Sequence, residues 1–148
     1  MKLLLILLTS LLYCVSSIKH LTDECLRCIC LASSECDPAV RCHSVGPVEY
    51  YCGPYQVSRR YWKLASSPGN EGEPFDFEDC VNNIYCAIET VDRYMARYSK
   101  DCDFDQQITC PDYALLHKAG PKQCRRSWVK ETNYWTRFID CANSLNII

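Results

Sequence analysis

Thirteen cysteines in 148 residues are the groups in this chain most able to do chemistry. Thiols at that density either oxidise to cystines or hold zinc as thiolates, and Cys25-x-x-Cys28 has a ligand-like gap. The start of the chain favours oxidation. Lys2 is a charged start, Leu3 to Leu12 is apolar apart from Thr9 and Ser10, and Val15-Ser16-Ser17 is a small-residue cleavage site. Residues 1–17 therefore read as a secretory signal, too short and wrongly flanked for a membrane span. Tyr13 is too bulky for the residue before a lipidated Cys14. Cleavage removes Cys14 and Lys2, which leaves twelve cysteines and moves the net charge from −2 to −3. The twelve are Cys25, Cys28, Cys30, Cys36, Cys42, Cys52, Cys80, Cys86, Cys102, Cys110, Cys124 and Cys141. An even set in an oxidising compartment predicts six bridges, with the connectivity open among about ten thousand pairings. No metal and no cofactor is expected.

Those cysteines must be positioned by short elements. Thr22 or Asp23 can cap a helix whose inner stripe is Leu26, Ile29, Cys30 and Ala32, ending near Ser33-Ser34 before Asp37-Pro38. Val48 to Val57, with Tyr50, Tyr51, Tyr55 and Val57 around Gly53-Pro54, predicts a β-hairpin. Ser66 to Gly72 reads as a loop. Phe77-Glu78-Asp79 opens the strongest helical pattern. Val81, Ile84, Tyr85, Ile88, Val91, Tyr94, Met95 and Tyr98 form its stripe, opposite Asn82, Glu89, Asp92, Arg93 and Arg97. Cys110-Pro111 starts a shorter helix that Gly120-Pro121 ends. Trp128 to Cys141 is a final helix or an extended wrap. The acidic balance excludes a nucleic-acid protein, and no second apolar run approaches membrane-spanning length. One domain over 18–148 is expected, as a monomer, without N-glycosylation because no Asn-x-Ser/Thr occurs.

The order of motifs carries a resemblance. Cys25-Leu26-Arg27-Cys28-Ile29-Cys30, then Cys36, Cys42, Cys52-Gly53-Pro54-Tyr55-Gln56-Val57 and Tyr61-Trp62, resembles the invertebrate-type lysozyme (destabilase) family. Cys80, Cys86-Ala87, Arg93 to Tyr98, Tyr113-Ala114-Leu115-Leu116-His117, Gly120-Pro121 and Cys124 follow in the same order. The resemblance implies an α+β fold: compact, lysozyme-like and disulfide-rich, mostly helical with a small β-hairpin beside a cleft. It implies hydrolysis of the β-1,4 bonds of peptidoglycan by a secreted protein. That chemistry needs one carboxyl held protonated and one ionised, about 5 Å apart in a retaining enzyme.

At both implied positions this chain departs from the pattern. The family runs Cys-Ile-Cys-x-x-Glu, and Ser33 stands in the glutamate's place. The family aspartate falls on Val45, or on Gly46 when counted back from Cys52. Serine cannot donate a proton usefully near neutral pH. Glu35 lies roughly 200° around a helix from Ser33 and points away. Glu49 is the other acid nearby. The isopeptide-cleaving activity of some members also lacks its residues, since Glu49 and Ser58 replace its serine and lysine while His117 is kept. A Ser33/His117 pair has no support from spacing, and His117 near a helix end reads as structural, its charge suiting the dipole. Ala65 and Thr90 stand where the resemblance places two further cysteines, which fits loss of one whole bridge.

Tyr55, Gln56, Tyr61, Trp62 and His117 are the expected sugar-contacting residues, with a core role equally open for Trp62. Arg59-Arg60, Arg93, Arg97 and Arg125-Arg126 could form a basic patch, although each pair also suits a solvated face. The preferred reading is a secreted lysozyme-like protein that binds peptidoglycan or a related amino-sugar glycan without cleaving it. The alternative is an active antibacterial or digestive lysozyme with relocated acids Glu35 and Glu49. A binder or inhibitor-like scaffold is a third, weaker reading.

Overall fold

The computed structural model describes residues 21–69 and 76–148. The expected signal segment 1–17 and part of the expected Ser66–Gly72 loop lie outside them.

Helix α1 (Asp23–Ser34) begins where Thr22 accepts a hydrogen bond from the Cys25 amide at 3.2 Å. It ends at Glu35, a non-glycine residue in the left-handed region (φ 61°) whose N–H returns to the Leu31 carbonyl. Its buried face is Cys25, Leu26, Cys28, Ile29, Cys30 and Ala32, the stripe the spacing predicts. The sheet that follows is antiparallel and has three strands, β1 (His43–Val45), β2 (Glu49–Cys52) and β3 (Val57–Ser58), in that order. The β2–β3 hairpin is the one expected from sequence. The extra strand β1 was not, because all three of its residues are exposed and give no alternation to read. The turn needs glycine at 53. Gly53 has φ +71°, and a Cβ there would lie 1.8 Å from the Val81 carbonyl oxygen.

Helix α2 (Arg59–Leu64) follows β3 directly, capped by the Ser58 hydroxyl. The single long helix expected from Phe77 is two helices, α3 (Phe77–Asn82) and α4 (Ile84–Tyr98). Asn83 is extended (ψ 123°); its side chain accepts from the amides of Tyr85 and Cys86, so it caps α4 as it ends α3. The Cys80–Cys86 bridge straddles this break. The kink also corrects the predicted stripe. Ile84 and Tyr85 sit on the outside, 37% and 81% exposed, whereas Ala87, Thr90, Val91, Tyr94 and Met95 face inward.

Helix α5 (Cys110–Ala119) carries proline in its first turn and ends at Gly120 (φ +73°). Asp112, wholly buried, anchors the preceding loop: its carboxylate accepts from the amides of Cys102 (2.6 Å), Asp103 (3.3 Å) and Thr109 (2.8 Å) and from the Thr109 hydroxyl. The final segment, left open between helix and wrap, is a 3₁₀ turn (Ser127–Glu131) followed by helix α6 (Asn133–Ser144). Tyr134 and Phe138 of α6 face inward, while Trp128 is 39% exposed.

All twelve cysteines among the described residues are paired: Cys25–Cys110, Cys28–Cys141, Cys30–Cys36, Cys42–Cys52, Cys80–Cys86 and Cys102–Cys124. The Cys25-x-x-Cys28 gap is thus a branching point, sending one thiol to α5 and the next to α6. With these two long-range links, α1 sits at the centre of the fold. The core around it is Ile29, Phe77, Val91, Met95, Leu115, Leu116, Val129 and Phe138, each less than 2% exposed. Ala65 and Thr90 are both buried, and the Thr90 hydroxyl donates to the Cys86 carbonyl at 2.7 Å. No helix among the described residues is long and apolar enough to cross a membrane.

Candidate functional site

A groove runs along the seam between the end of α1, the sheet, the end of α5 and the start of α6. Its central part, about 360 Å³, is lined by Ser33, Val45, Glu49, Gln56, His117 and Tyr134, with Lys118 and Arg137 reaching in from the rim. One arm (about 320 Å³) continues between α2 and the end of α5, past Arg60, Tyr61, Tyr94 and Lys122. The other arm (about 270 Å³) passes Glu35, Val40 and His43. Gln56 lines all three parts. It is held in the left-handed region (φ 52°) by its place in the turn, where its amide and side chain both bond the Gly53 carbonyl.

The wall behind the centre is a network built on His117. Its Nε2 lies 2.8 Å from the Tyr55 carbonyl, which can only accept, so Nε2 carries the proton. Nδ1 is then the acceptor for the Tyr61 hydroxyl, 3.1 Å away. Desolvation between α5 and the Gly53–Gln56 turn lowers the His117 pKa to about 4, with the Tyr55 carbonyl opposing the shift and Lys118 adding to it. The ring is therefore neutral at physiological pH, which corrects the expectation of a charge serving the helix dipole. Ser33 lies 3.5 Å from Nε2, but its hydroxyl donates to the Ile29 carbonyl one turn back (2.8 Å). A serine facing a protonated nitrogen has no base, so these two residues, although neighbours, do not form a nucleophilic pair.

Two expected sugar contacts are core residues. Tyr55 is 2% exposed and donates to the Leu26 carbonyl at 3.2 Å; burial pushes its hydroxyl to about 12. Trp62 is 6% exposed and gives its indole N–H to the Pro68 carbonyl, with Phe77 against its ring. Tyr61 lines the α2 arm by its edge, since its face is stacked on Tyr94 at 3.6 Å between centroids. Gln56 and His117 do line the groove.

The two candidate acids part company. Val45 pairs directly with Glu49 across β1 and β2, so the Glu49 side chain rises from the same face of the sheet and into the same part of the groove. Tyr51 shares a hydrogen bond with it. Glu35 belongs to the far arm, where its carboxylate meets Arg137 at 3.6 Å with both side chains largely in solvent. Neither acid is enclosed.

The sequence reading passed over Lys118 and Arg137. Lys118 lies 5.5 Å above the Tyr134 ring, and its pKa is lowered, mainly by desolvation. The available signal was positional. Lys118 follows His117 in the last turn of α5, and Arg137 is one turn on from Asn133 along the exposed side of α6. The arginines considered for a basic patch are dispersed. Arg59 pairs with Asp76, Arg93 with Glu89, and Arg125 covers Phe104; Arg60 alone of that group lines the groove. Away from the groove, Asp101, Asp103 and Asp105 bring carboxylate oxygens within 4.8 Å of one another on the loop Asp112 anchors, the one set among the described residues with metal-ligating geometry. Desolvation raises the pKa of Asp103.

The sequence model of the Destabilase family matches residues 22–141. Lysozyme 1 of Crassostrea virginica is 36% identical over 116 residues, which span 78% of this chain and 57% of that one. Invertebrate-type lysozyme 6 of Caenorhabditis elegans is 33% identical over 122 residues, 80% of this chain and 86% of its own. The crystal structure of the inhibitor-bound lysozyme from Meretrix lusoria superposes with a TM-score of 0.66 at 28% identity, covering 80% of this chain and 88% of that one. Matched in sequence and in fold over most of its length, the chain belongs to the Destabilase family, the invertebrate-type lysozymes.

Proposed function

We propose that this protein is a secreted member of the family that binds an amino-sugar glycan such as peptidoglycan along the groove and does not cleave it at a lysozyme's rate. The observation that carries this reading is the make-up of the groove's centre. By the resemblance, Ser33 stands for the family glutamate and Val45, or Gly46, for the family aspartate; Ser33 and Val45 line the centre, and Glu49 is the single acid lining that part. Glycosidic cleavage by this route needs a proton donor and an anion together. One exposed carboxylate beside a serine supplies the second and not the first. Loss of the acid alone lowers the rate about 10²- to 10⁴-fold. The signal-like pattern of residues 1–17 and the six bridges support an extracellular destination.

A second reading keeps activity through relocated acids. Glu49 favours it, because Glu49 sits across the strand pair from Val45. Glu35 does not, because it lines the far arm and not the centre, with its carboxylate exposed beside Arg137.

The test is clearing of bacterial cell-wall suspensions from about pH 4 to 8, with co-sedimentation on insoluble peptidoglycan in parallel. The expected result is binding without clearing in the parent, and clearing by Ser33→Glu combined with Val45→Asp. Clearing by the parent that Glu49→Gln abolishes would establish the second reading instead.

A further inference from the structure

The walls of the groove are anchored unequally. Helices α1, α5 and α6 reach it with buried faces behind them. Strand β1 does not. It lies at the edge of the sheet, where β2 is its only strand partner. From Asp37 to Val48 every residue is exposed except Val40 and Cys42, which are half-buried. The stretch before β1 spends its hydrogen bonds locally: the Ala39 amide on the Asp37 carboxylate, the Val40 amide on the Asp37 carbonyl and Arg41 on the Pro38 carbonyl. Yet this segment lines the groove, with Val45 in the centre and Val40 and His43 in the far arm. Pairing over three residues is a weak hold by itself. The Cys42–Cys52 bridge ties the segment to the core, one step beyond the His43–Tyr51 pair, with Cys52 wholly buried. In the other five bridges each cysteine lies on a helix or is pinned by its own amide. The Cys36 amide bonds the Cys30 carbonyl, the Cys102 amide the Asp112 carboxylate and the Cys124 amide the Gly120 carbonyl. Thiols held together in that way re-form their bond after reduction, because their effective concentration stays high; Cys42, once released, has nothing to hold it near Cys52 but the short ladder.

A second observation bears on the same bond. Asn82 of α3 sets its Nδ2 3.5 Å from the Cys42 Sγ and 2.8 Å from the Glu78 carbonyl, while its Oδ1 is buried with no hydrogen-bond partner among the described residues. A cystine sulfur only accepts, whereas a thiol S–H donates. Reduction therefore brings a donor beside an amide whose oxygen lacks one.

We propose that Cys42–Cys52 is a thiol-exchange site, opened by a dithiol reductant ahead of the other five bridges, and that its opening frees β1 and takes down one wall of the groove. The first thiolate of the reductant attacks the half-buried Cys42 sulfur; the S–S bond breaks, and Cys52 leaves as a thiolate and takes up a proton. The second thiol of the reductant then displaces Cys42 as a thiol, and the reductant ends as a cyclic disulfide, so two electrons and two protons pass to the protein. The loss of ligand binding on opening rests on the reading of the groove as a glycan-binding site; the exchange itself does not.

The experiment treats the folded, oxidised protein with rising dithiothreitol, blocks new thiols with N-ethylmaleimide and maps them by mass spectrometry. Trypsin cleavage after Arg41 and co-sedimentation with insoluble peptidoglycan are read on the same samples. The expected result is labelling of Cys42 and Cys52 at about tenfold less dithiothreitol than any other pair. Cleavage after Arg41 should rise and affinity for peptidoglycan fall about tenfold with it, both reversed by reoxidation. Cys42→Ala with Cys52→Ala should behave as the opened form without reductant; should that variant not fold, the partly reduced parent carries the test. Labelling of another pair first, or all six opening together, overturns the exchange site. Selective labelling with cleavage and binding unchanged overturns the release of β1. If the oxidised parent does not sediment, the glycan-binding reading fails, while selective labelling with faster cleavage after Arg41 still upholds the exchange site.

Discussion

The wall of the groove and its floor are built on different terms. In the wall, every polar group of the central network has a partner: the two nitrogens of His117, the Tyr61 hydroxyl, the Tyr55 carbonyl and the Tyr55 hydroxyl. The network joins the β2–β3 turn, α2 and α5, and α1 through Leu26. In the floor, Ser33 is bonded back along its own helix and Val45 is 48% exposed. The comparison teaches that the shape of this cleft and its chemistry are separable. A scaffold held by buried hydrogen bonds and cross-links does not draw its stability from half-exposed side chains on the floor of its cleft.

The sharpest way to break that contrast is to cut the scaffold. Cys28→Ala with Cys141→Ala releases α1 from α6 across 113 residues. The expected loss is about 4–5 kcal/mol, read as a fall in the denaturation midpoint under non-reducing conditions. A loss under about 1 kcal/mol would mean that packing alone holds the wall. Next in size, Gly53→Ala forces a side chain against the Val81 backbone at a left-handed position. It should cost about 3 kcal/mol or abolish secretion of folded protein, measured by yield and urea titration.

The wall also sets a pH dependence. His117 has a folded pKa of about 4, below the ordinary histidine value, so the unfolded chain takes up the proton first as pH falls. Its contribution to stability is complete above about pH 6.5 and is lost as pH drops toward 4. Melting temperature followed over this window should fall less steeply in His117→Gln than in the parent, and identical slopes would remove His117 from the account. The smallest effect belongs to the floor. Val45→Asp should change stability by no more than about 0.5 kcal/mol in the same titration. A large loss there would show that the floor is structural after all.

Much of the fold was legible in the residues because it is local. Thr22 and the Leu26–Ala32 stripe mark α1, Gly53-Pro54 marks the turn, and Pro111 and Gly120 bracket α5. Where a local signal was absent or misleading, reading failed. β1 has no buried face to alternate. The helix after Phe77 looks continuous by periodicity, and its break depends on one asparagine side chain capping the second helix. The site was less legible than the fold. Tyr55 and Trp62 carry aromatic rings suited to sugars, yet both rings are spent on core packing and backbone carbonyls. Lys118 and Arg137 reach the groove from helix positions that look like ordinary solvated surface.

Residue order alone determined the family, the twelve cysteines from Cys25 to Cys141 and the identity of Ser33, Val45 and Glu49, since each is a matter of which side chain stands at which place along the chain. Tertiary structure decided the rest. It paired Cys25 with Cys110 and Cys28 with Cys141, put a protonated nitrogen opposite Ser33 and separated Glu35 from Glu49. Those outcomes depend on distances between residues far apart in sequence, and such distances exist only once packing has closed the chain on itself.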